Sequence, residues 1–275
     1  MECIKDYYLH NFKFIPSSQF NENLSESGIS IYEVIRIENG VALFLEEHLD
    51  RIFQSSDISN LSINESYCDF ETLISELIKK NETQEGKIKI IIRYEDNGKE
   101  EKDLLIYFTP QIFPSREEYA YGVKLGICNA IRINPNAKIY NTDTRKKANE
   151  IINKENIYEV LLVNKDGFIT EGSRSNVFFI QEDKLITPPS TEVLNGITRK
   201  HIFDICKLNN IPLIENKVHQ SDVLNMDAIF LTGTSINVLP VKNLGKKEFN
   251  PDHKVLRKIM ELYDQARSSY LAFNS

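Results

Sequence analysis

The chain has 275 residues, of which 41% are apolar and 27% are charged, and its formal net charge is −7. This length can bury one large core or two smaller ones, and the composition excludes a disordered or fibrous protein. The acidic balance argues against a general nucleic-acid partner, which needs a basic surface to neutralise phosphates, although local basic groups can still bind one small anion.

Cysteine usage and the N-terminal sequence indicate the cellular compartment. Cys3, Cys68, Cys128 and Cys206 are scattered, without a CxxC pair or a histidine at zinc spacing. The sequence therefore predicts no metal site and a reducing compartment. The N-terminus lacks a basic start followed by an apolar run, and no apolar stretch approaches the ~20 residues of a membrane span. We expect a cytoplasmic protein with no membrane partner.

The first part of the chain predicts antiparallel strands with helices. Residues 1–30 are polar and irregular apart from an aromatic-rich stretch over residues 7–15. Turn signals follow at Asn39-Gly40 and at residues 95–98. Apolar alternation and helical spacing predict strands over 31–37, 41–45, 88–94 and 104–109 and helices over 46–53 and 70–80.

A break in this pattern predicts two domains. Pro110, Pro114 and the charged residues 115–118 indicate a linker over residues 113–121. We therefore expect an N-terminal domain over residues 1–112 and a C-terminal domain over residues 122–275.

The second domain predicts further strands and helices, with the strands between residues 158 and 187 forming a meander. Its predicted strands are 122–128, 158–163, 168–170, 177–180, 184–187, 211–215, 228–231 and 236–241. Its predicted helices are 142–154, 196–208, 220–224 and the amphipathic 253–271.

Residues 167–180 break the strand rule inside this meander. Glu171, a glycine and several small polar residues interrupt two apolar runs before Asn176. Strand interiors avoid glycine, so the interruption has a specific cause. This segment alone fits a tight connection between strands as well as it fits a functional site.

Two later segments present backbone N–H groups at small residues. Gly196-Ile197-Thr198 opens a predicted helix, and Gly233-Thr234-Ser235 follows a predicted strand. A helix N-terminus has spare N–H donors and the positive end of the helix dipole, which suit a phosphate. Each segment alone fits a simple cap or turn. Together with Arg51 they form a candidate site for one phosphate dianion.

Six segments stand in a fixed order between about residue 28 and residue 241: Tyr32–Arg36, Glu47–Arg51, Lys138–Asn141, Thr170–Phe178, Leu194–Arg199 and Thr232–Ser235. As an ordered set they resemble the class IV pyridoxal-phosphate-dependent aminotransferases. This fold-type IV family includes branched-chain aminotransferases, D-amino acid aminotransferases and 4-amino-4-deoxychorismate lyases. The resemblance implies a two-domain α/β fold of the α+β type, pyridoxal 5′-phosphate as the cofactor and a homodimer.

The resemblance also implies roles for individual residues. Lys138 would bond the cofactor covalently, and Glu171 would meet the pyridine nitrogen. A carboxylate there keeps the nitrogen protonated, so that the ring can accept electrons from the substrate Cα–H bond. Once the substrate displaces it from the cofactor, the Lys138 amine would carry the proton from the substrate Cα to the cofactor's C4′. The implied cofactor ligands are Arg51, Lys138, Glu171, Asn176, Ile197, Thr198, Thr234 and Ser235, with Arg51 and the last four on the phosphate.

Lys146 and Lys147 are the alternatives to Lys138. They stand in a run of positive charge on a predicted helix, which favours a solvated face over a reactive amine. Outside the resemblance, Lys138 itself would be an ordinary loop lysine.

The substrate side departs from the family pattern. Residues 27–31 replace a frequent Gly-Asp-Gly, and Tyr94 follows Arg93 where the family often has glycine. Tyr32, Arg93 and Arg174 are the candidate substrate contacts. Their alternatives are a sheet-core aromatic, a solvated strand-end arginine and a surface or interface ion pair.

The sequence therefore predicts an aminotransferase that moves an amino group between a branched-chain or other small amino acid and a 2-oxo acid. An alternative is a lyase that eliminates pyruvate from aminodeoxychorismate, because Lys138 and Glu171 would labilise the Cα–H bond in both reactions. A third hypothesis is a non-catalytic binding protein of the same fold.

Overall fold

The structure is a computed structural model that describes residues 2–22, 29–94, 101–110, 113–132, 134–139 and 142–275. The chain forms two compact units. The first is Met1–Ile112, Ala137–Tyr140 and Arg267–Ser275; the second is Phe113–Asn136 and Asn141–Ala266. Both combine helices with sheet, which confirms the predicted α+β class. The domain boundaries at residues 112 and 122 stay a prediction.

A six-stranded antiparallel sheet forms the first unit. Its strands are β1 Tyr7–His10, β2 Lys13–Pro16, β3 Ile29–Glu38, β4 Val41–Ala42, β5 Gly86–Tyr94 and β6 Glu101–Phe108. They lie in the order β2-β1-β6-β5-β3-β4. The unit also contains helices α1 Leu45–Ser59 and α2 Tyr67–Lys80 and a short 3₁₀ helix Ser17–Gln19.

Alternation along β3 gives this sheet two different faces. Ile31 and Ile35 belong to the apolar core that also contains residues of α1 and α2. Tyr32 points to the other face, where it packs in a cluster with Tyr8 and Tyr107. Glu33 shares the parity of Ile31 and Ile35, so its carboxylate is directed toward the helices.

One strand prediction in the first unit is wrong. The strand expected over residues 41–45 ends at Ala42, and Leu45 already begins α1. Phe44 adopts the left-handed conformation, with φ 54°, which ends the extended run. Glu46 and Glu47 then stand in the first helical turn, where acidic groups suit the helix dipole. The predicted turn at residues 95–98 lies outside the described residues.

A ten-stranded sheet forms the second unit, in the order β12-β11-β10-β14-β15-β7-β8-β9-β13 with β16 beside β15. The strands are β7 Val123–Asn129, β8 Glu159–Val163, β9 Phe168–Gly172, β10 Asn176–Gln181, β11 Lys184–Thr187, β12 Leu213–Glu215, β13 Val218–His219, β14 Ala228–Gly233, β15 Asn237–Leu244 and β16 Lys247–Glu248. The remaining helices are α3 Arg116–Tyr121, α4 Thr142–Glu155, α5 Ile197–Leu208 and α6 Lys254–Asn274, whose last residues belong to the first unit.

The predicted meander is wrong at one junction. β8 pairs with β9, and β10 pairs with β11, but β9 and β10 are not neighbours in the sheet. Instead β10 pairs with β14, which places Phe178 opposite Phe230 with stacked rings 5.0 Å apart. The apolar pairing of β10 with β14, which is distant in sequence, is therefore favoured over pairing with β9. Residues 173–175 therefore carry the chain from the β8-β9 pair to the β10-β14 pair.

Two further segments differ from expectation. Arg116–Tyr121, inside the predicted linker, is a helix because Ser115 and Glu118 form a capping box at its start. The helix expected over residues 220–224 is a short 3₁₀ segment, Asp222–Asn225, and Ser221 does not cap it with its side chain.

None of the helices described is both long and apolar enough to cross a membrane. All four cysteines are free, and Cys68 is the exposed one among them. Within the described ranges, no group of three or more histidine, cysteine or acidic residues is arranged to hold a metal ion.

Candidate active site

Lys138 lies in a short segment that the first unit holds by its backbone. The amide of Tyr32 donates to the Lys138 carbonyl at 3.0 Å. The Lys138 amide donates to Ser55 Oγ at 3.1 Å, and Ile139 forms an isolated bridge with Ile31. These backbone contacts give the Lys138 side chain a defined starting position.

The Lys138 side chain is largely buried, with 13% of it exposed. Its Nζ lies 3.5 Å from Glu33 Oε1 and 5.3 Å from the centre of the Tyr32 ring. Lys146 and Lys147 are exposed on α4, as their charge run predicted. The surroundings therefore distinguish Lys138 from both alternatives, and its role toward a cofactor stays a prediction.

Glu33 is fully buried at the centre of this group. Arg51 donates from Nε to Glu33 Oε2 at 2.8 Å and from Nη2 to Oε1 at 2.7 Å, while His48 Nδ1 lies 3.2 Å from Oε1. His48 and Arg51 are three residues apart on α1, so both reach the same face of β3. Burial alone would raise the pKa of Glu33, but Arg51, Lys138 and His48 together hold it well below its ordinary value.

Sequence reasoning missed Glu33 and His48 as members of this group. The available signal was a carboxylate at the inward position of an alternating strand, which is a costly placement unless the charge is paired. The pairing with Arg51 also bears on the phosphate role predicted for that residue. Its Nε and Nη2 atoms already donate to Glu33, and a role in binding phosphate stays a prediction.

We expect Glu33→Gln to lower the free energy of unfolding by about 3–5 kcal/mol, because removing one member of a buried ion pair leaves uncompensated charge. Urea unfolding at neutral pH measures this loss. Because the pKa of Glu33 is lower in the folded chain than in the unfolded chain, the wild type should lose this stabilisation as the pH falls below about 4, and the variant should not.

Glu76→Gln, at an exposed position on α2, is the control and should change stability by less than about 0.5 kcal/mol. Equal unfolding midpoints for Glu33→Gln and the wild type would contradict the role given to Glu33.

Glu171 stands near the end of β9 in the second unit and is 2% exposed. Its Oε1 accepts a hydrogen bond from Arg132 Nε at 2.7 Å, and its Oε2 accepts one from the Leu194 amide at 3.2 Å. Arg132 and Leu194 thus fix the carboxylate from two directions. Sequence reasoning missed Arg132, because no local pattern links residue 132 with residue 171.

Asn176 connects this carboxylate with the start of α5. Its Nδ2 donates to the Leu194 carbonyl at 2.8 Å. A Cβ at residue 196 would overlap Asn176 Oδ1, so Gly196 is required where α5 begins. Among the described residues no side chain caps the start of α5, so its first backbone N–H groups are candidate donors to a ligand. Thr198 is buried in the first turn, with Oγ1 3.4 Å from Tyr263 Oη.

The second small-residue turn lies beside Asn176 as well. Thr232 stands opposite Asn176 in the β10-β14 pair, and the Ile236 amide closes the turn on the Gly233 carbonyl at 3.1 Å. Thr232 Oγ1 is buried and has no hydrogen-bond partner in the described part of the chain. Thr234 and Ser235 are partly exposed on this turn.

The second unit therefore brings together a fixed buried carboxylate, an uncapped helix start and a turn of small residues. These features fit the cofactor that the resemblance implies. The buried Thr232 hydroxyl and the N–H groups of α5 would supply donors for a phosphate, and Gly196 leaves the start of α5 without a side chain.

The candidate substrate contacts have partners within their own units. Arg93 Nε donates to Asp103 Oδ2 at 2.9 Å, and Asp103 also contacts His10 at 2.8 Å. Arg93 is 12% exposed, so the alternative of a solvated strand-end arginine is wrong. Arg174 Nη2 donates to Asn149 Oδ1 at 2.5 Å. The substrate roles of Tyr32, Arg93 and Arg174 stay predictions.

Parts of the quoted motifs lie outside the described residues. These are Ser27 and Gly28 of the departure before β3, and Tyr140 and Asn141 of the lysine segment.

Comparison with known proteins gives a family and a fold. The sequence matches the family described as “Amino-transferase class IV” over residues 30–244. A D-alanine aminotransferase of Bacillus licheniformis is 28% identical over 229 residues, which cover 79% of each protein. A Thermotoga maritima protein named “Probable branched-chain-amino-acid aminotransferase” is 33% identical over 227 residues, which cover 80% of this chain and 79% of that protein.

A solved structure extends the likeness to the whole fold. The branched-chain amino acid aminotransferase of Escherichia coli is 21% identical, with a TM-score of 0.86 over 96% of this chain and 95% of that chain. This similarity confirms the fold predicted from the sequence. The span matched by the family contains Lys138, Glu171 and both small-residue turns.

Proposed function

Because the chain belongs to the class IV aminotransferase family, whose cofactor is pyridoxal 5′-phosphate, we propose that it is a homodimeric enzyme of amino-acid metabolism. The reaction transfers an amino group between a branched-chain or other small amino acid and a 2-oxo acid. The proposal rests on the position of Lys138. Its amine is largely buried, its backbone and Glu33 hold it in place, and it lies within the residues that match the family.

Lys138 has two tasks in the proposed reaction. Its Nζ would hold the cofactor, and the same amine, once free, would take the proton from the substrate Cα. Bound cofactor supplies the electron sink for the charge that develops at Cα. Glu33, 3.5 Å from Nζ, keeps the amine close to its working position while it is free.

Glu171 has the matching task at the pyridine nitrogen. A carboxylate there holds a proton on the nitrogen, which makes the ring a stronger electron acceptor. Arg132 and the Leu194 amide keep the carboxylate in place, so that it does not rotate away during the reaction. Asn176 supports the same loop through the Leu194 carbonyl.

The phosphate has a proposed cradle of backbone and hydroxyl donors. The amides of Ile197 and Thr198 open α5 without a side-chain cap, and the positive end of the helix dipole favours an anion. Thr234 and Ser235 would add donors from the other turn. The resemblance assigns Arg51 to the phosphate as well, beside its observed pairing with Glu33.

The relatives support a small substrate but differ in which one. One is named for D-alanine and the other for branched-chain amino acids. Tyr32, Arg93 and Arg174 remain the proposed substrate contacts.

A substrate panel tests the proposal. Purified protein with pyridoxal 5′-phosphate receives L-leucine, L-isoleucine, L-valine or D-alanine, each with 2-oxoglutarate. We expect formation of glutamate with at least one of these donors. Pyruvate released from aminodeoxychorismate without an amino acceptor would instead assign the lyase reaction. A protein whose spectrum does not change on adding the cofactor would be the non-catalytic member.

The dimer and the compartment complete the proposal. Light scattering should give twice the chain mass of 31.8 kDa for a homodimer. A cytoplasmic location is supported by the four free cysteines, because a reducing compartment keeps thiols unpaired.

A further inference from the structure

The segment between Glu171 and Asn176 is organised by one buried carboxylate. Glu159 begins β8 and is 3% exposed. Its Oε1 accepts hydrogen bonds from the Arg174 amide at 2.5 Å and from Ser173 Oγ at 3.2 Å. Its Oε2 accepts one from Ser175 Oγ at 3.0 Å. Three consecutive residues of the segment therefore converge on a single side chain.

The backbone of the segment is tied down as well. The Gly172 amide donates to the Ser175 carbonyl at 2.8 Å, and the Ser173 amide donates to the Val160 carbonyl at 3.0 Å. A Cβ at residue 172 would overlap Ser175 Oγ and crowd Glu159 Oε1, so the connection leaves room only for glycine. This compact turn carries the chain between two strand pairs that are not neighbours in the sheet.

The same contacts give Arg174 a role that its charge does not predict. Its amide donates to Glu159, whereas its guanidinium donates to Asn149 on α4. Within this segment, Arg174 contributes its backbone N–H to the turn. Burial raises the pKa of Glu159, and the donors from the segment act in the opposite direction.

We propose that Glu159 is a positioning residue, which holds Ser173–Ser175 in one conformation and thereby sets Glu171 and Asn176 for the cofactor. The inference rests on the proposed function, because it concerns residues assigned there to the cofactor. Glu159 lies behind the turn and acts through it. A displacement of the turn moves Glu171 at one end and Asn176 at the other, and each of these contacts Leu194 before α5.

Glu159→Gln tests the proposal, because it keeps the size of the side chain and replaces one acceptor oxygen with a donor. We expect the Kd for pyridoxal 5′-phosphate to rise about tenfold or more, since a lost or opposed buried hydrogen bond costs on the order of 1.4 kcal/mol or more. Titration of the cofactor-free protein, followed by absorption, measures the Kd. Glu150→Gln, at an exposed position on α4, is the control and should stay within about twofold.

Hydrogen exchange of the cofactor-free protein gives a second, independent result. Amides of residues 172–176 should exchange faster in Glu159→Gln than in the wild type, while those of β14 keep their rates. If the wild type does not bind the cofactor, the proposed function fails, and the exchange rates alone decide whether Glu159 holds the turn. Two results overturn the inference. One is unchanged exchange of residues 172–176 in Glu159→Gln. The other, where the wild type binds the cofactor, is faster exchange together with an unchanged Kd.

A second variant keeps the test decisive if Glu159→Gln does not fold. Ser173→Ala combined with Ser175→Ala leaves the carboxylate but removes both hydroxyl donors. The Kd should again rise and residues 172–176 should exchange faster, and wild-type values for both overturn the inference.

Discussion

Lys138→Ala is expected to abolish amino transfer, with a fall in kcat/KM of about 10⁴-fold or more, because one amine supplies both the covalent attachment and the proton transfer. The protein should stay folded, since Arg51 still pairs with Glu33 through two hydrogen bonds when Lys138 is absent. Initial rates with the best substrate of the panel measure the loss. Circular dichroism verifies that the variant is folded.

Lys146→Ala is the matched control for this experiment. Lys146 is exposed on α4 and should be replaceable without loss of activity. Wild-type turnover in Lys138→Ala, or an equal loss of turnover in Lys146→Ala, would contradict the assignment of Lys138 as the reactive amine.

Glu171→Gln is expected to lower kcat/KM by about 10²-fold or more, because the pyridine nitrogen would lose the carboxylate proposed to hold its proton. The same change leaves Arg132 beside a neutral amide in place of the carboxylate that accepts its hydrogen bond. The rate of the first half-reaction, measured with a single turnover of amino acid, isolates this effect from the second half. Glu171→Asp should lie between the wild type and Glu171→Gln.

Glu182→Gln is the control for the charge change, since Glu182 is exposed in the turn after β10. It should leave the half-reaction rate unchanged. A normal rate in Glu171→Gln at saturating cofactor would show that the carboxylate is not the partner of the ring nitrogen.

The sequence predicts elements whose signal is local. The apolar alternation of Ile31–Ile37 predicts β3, and helical spacing with acidic first-turn residues predicts α1. The strand expected over residues 184–187 has the bounds of β11. In these segments most residues prefer the face that they occupy in the fold, and Glu33 in β3 is the exception.

The errors in the prediction concern the pairing of one strand and the end of another. β10 leaves its expected neighbour because β14, more than forty residues later, offers the better apolar match. The left-handed Phe44 ends a strand that alternation alone extends to residue 45. Non-local pairing and backbone reversal at a bulky residue have no signature in a short window of sequence.

The residues of the candidate site also fall into two groups, those found from local motifs and those found from their contacts in the structure. Lys138, Glu171 and the two small-residue turns were found through motifs, because each is recognisable within a few residues of the chain. Glu33, Arg132 and Glu159 act through partners outside any local motif, and their hydrogen bonds and ion pairs become visible in the structure. A buried carboxylate in a strand is the one signal that the sequence offered for Glu33 and Glu159.

The proposed attachment of the cofactor to Lys138 can be measured by trapping the bond chemically. Protein loaded with pyridoxal 5′-phosphate is reduced with borohydride, digested and mapped by mass spectrometry. We expect a single phosphopyridoxyl group, attached to Lys138. A group attached to Lys146, to Lys147 or to any other lysine, or no attached group at all, would contradict it.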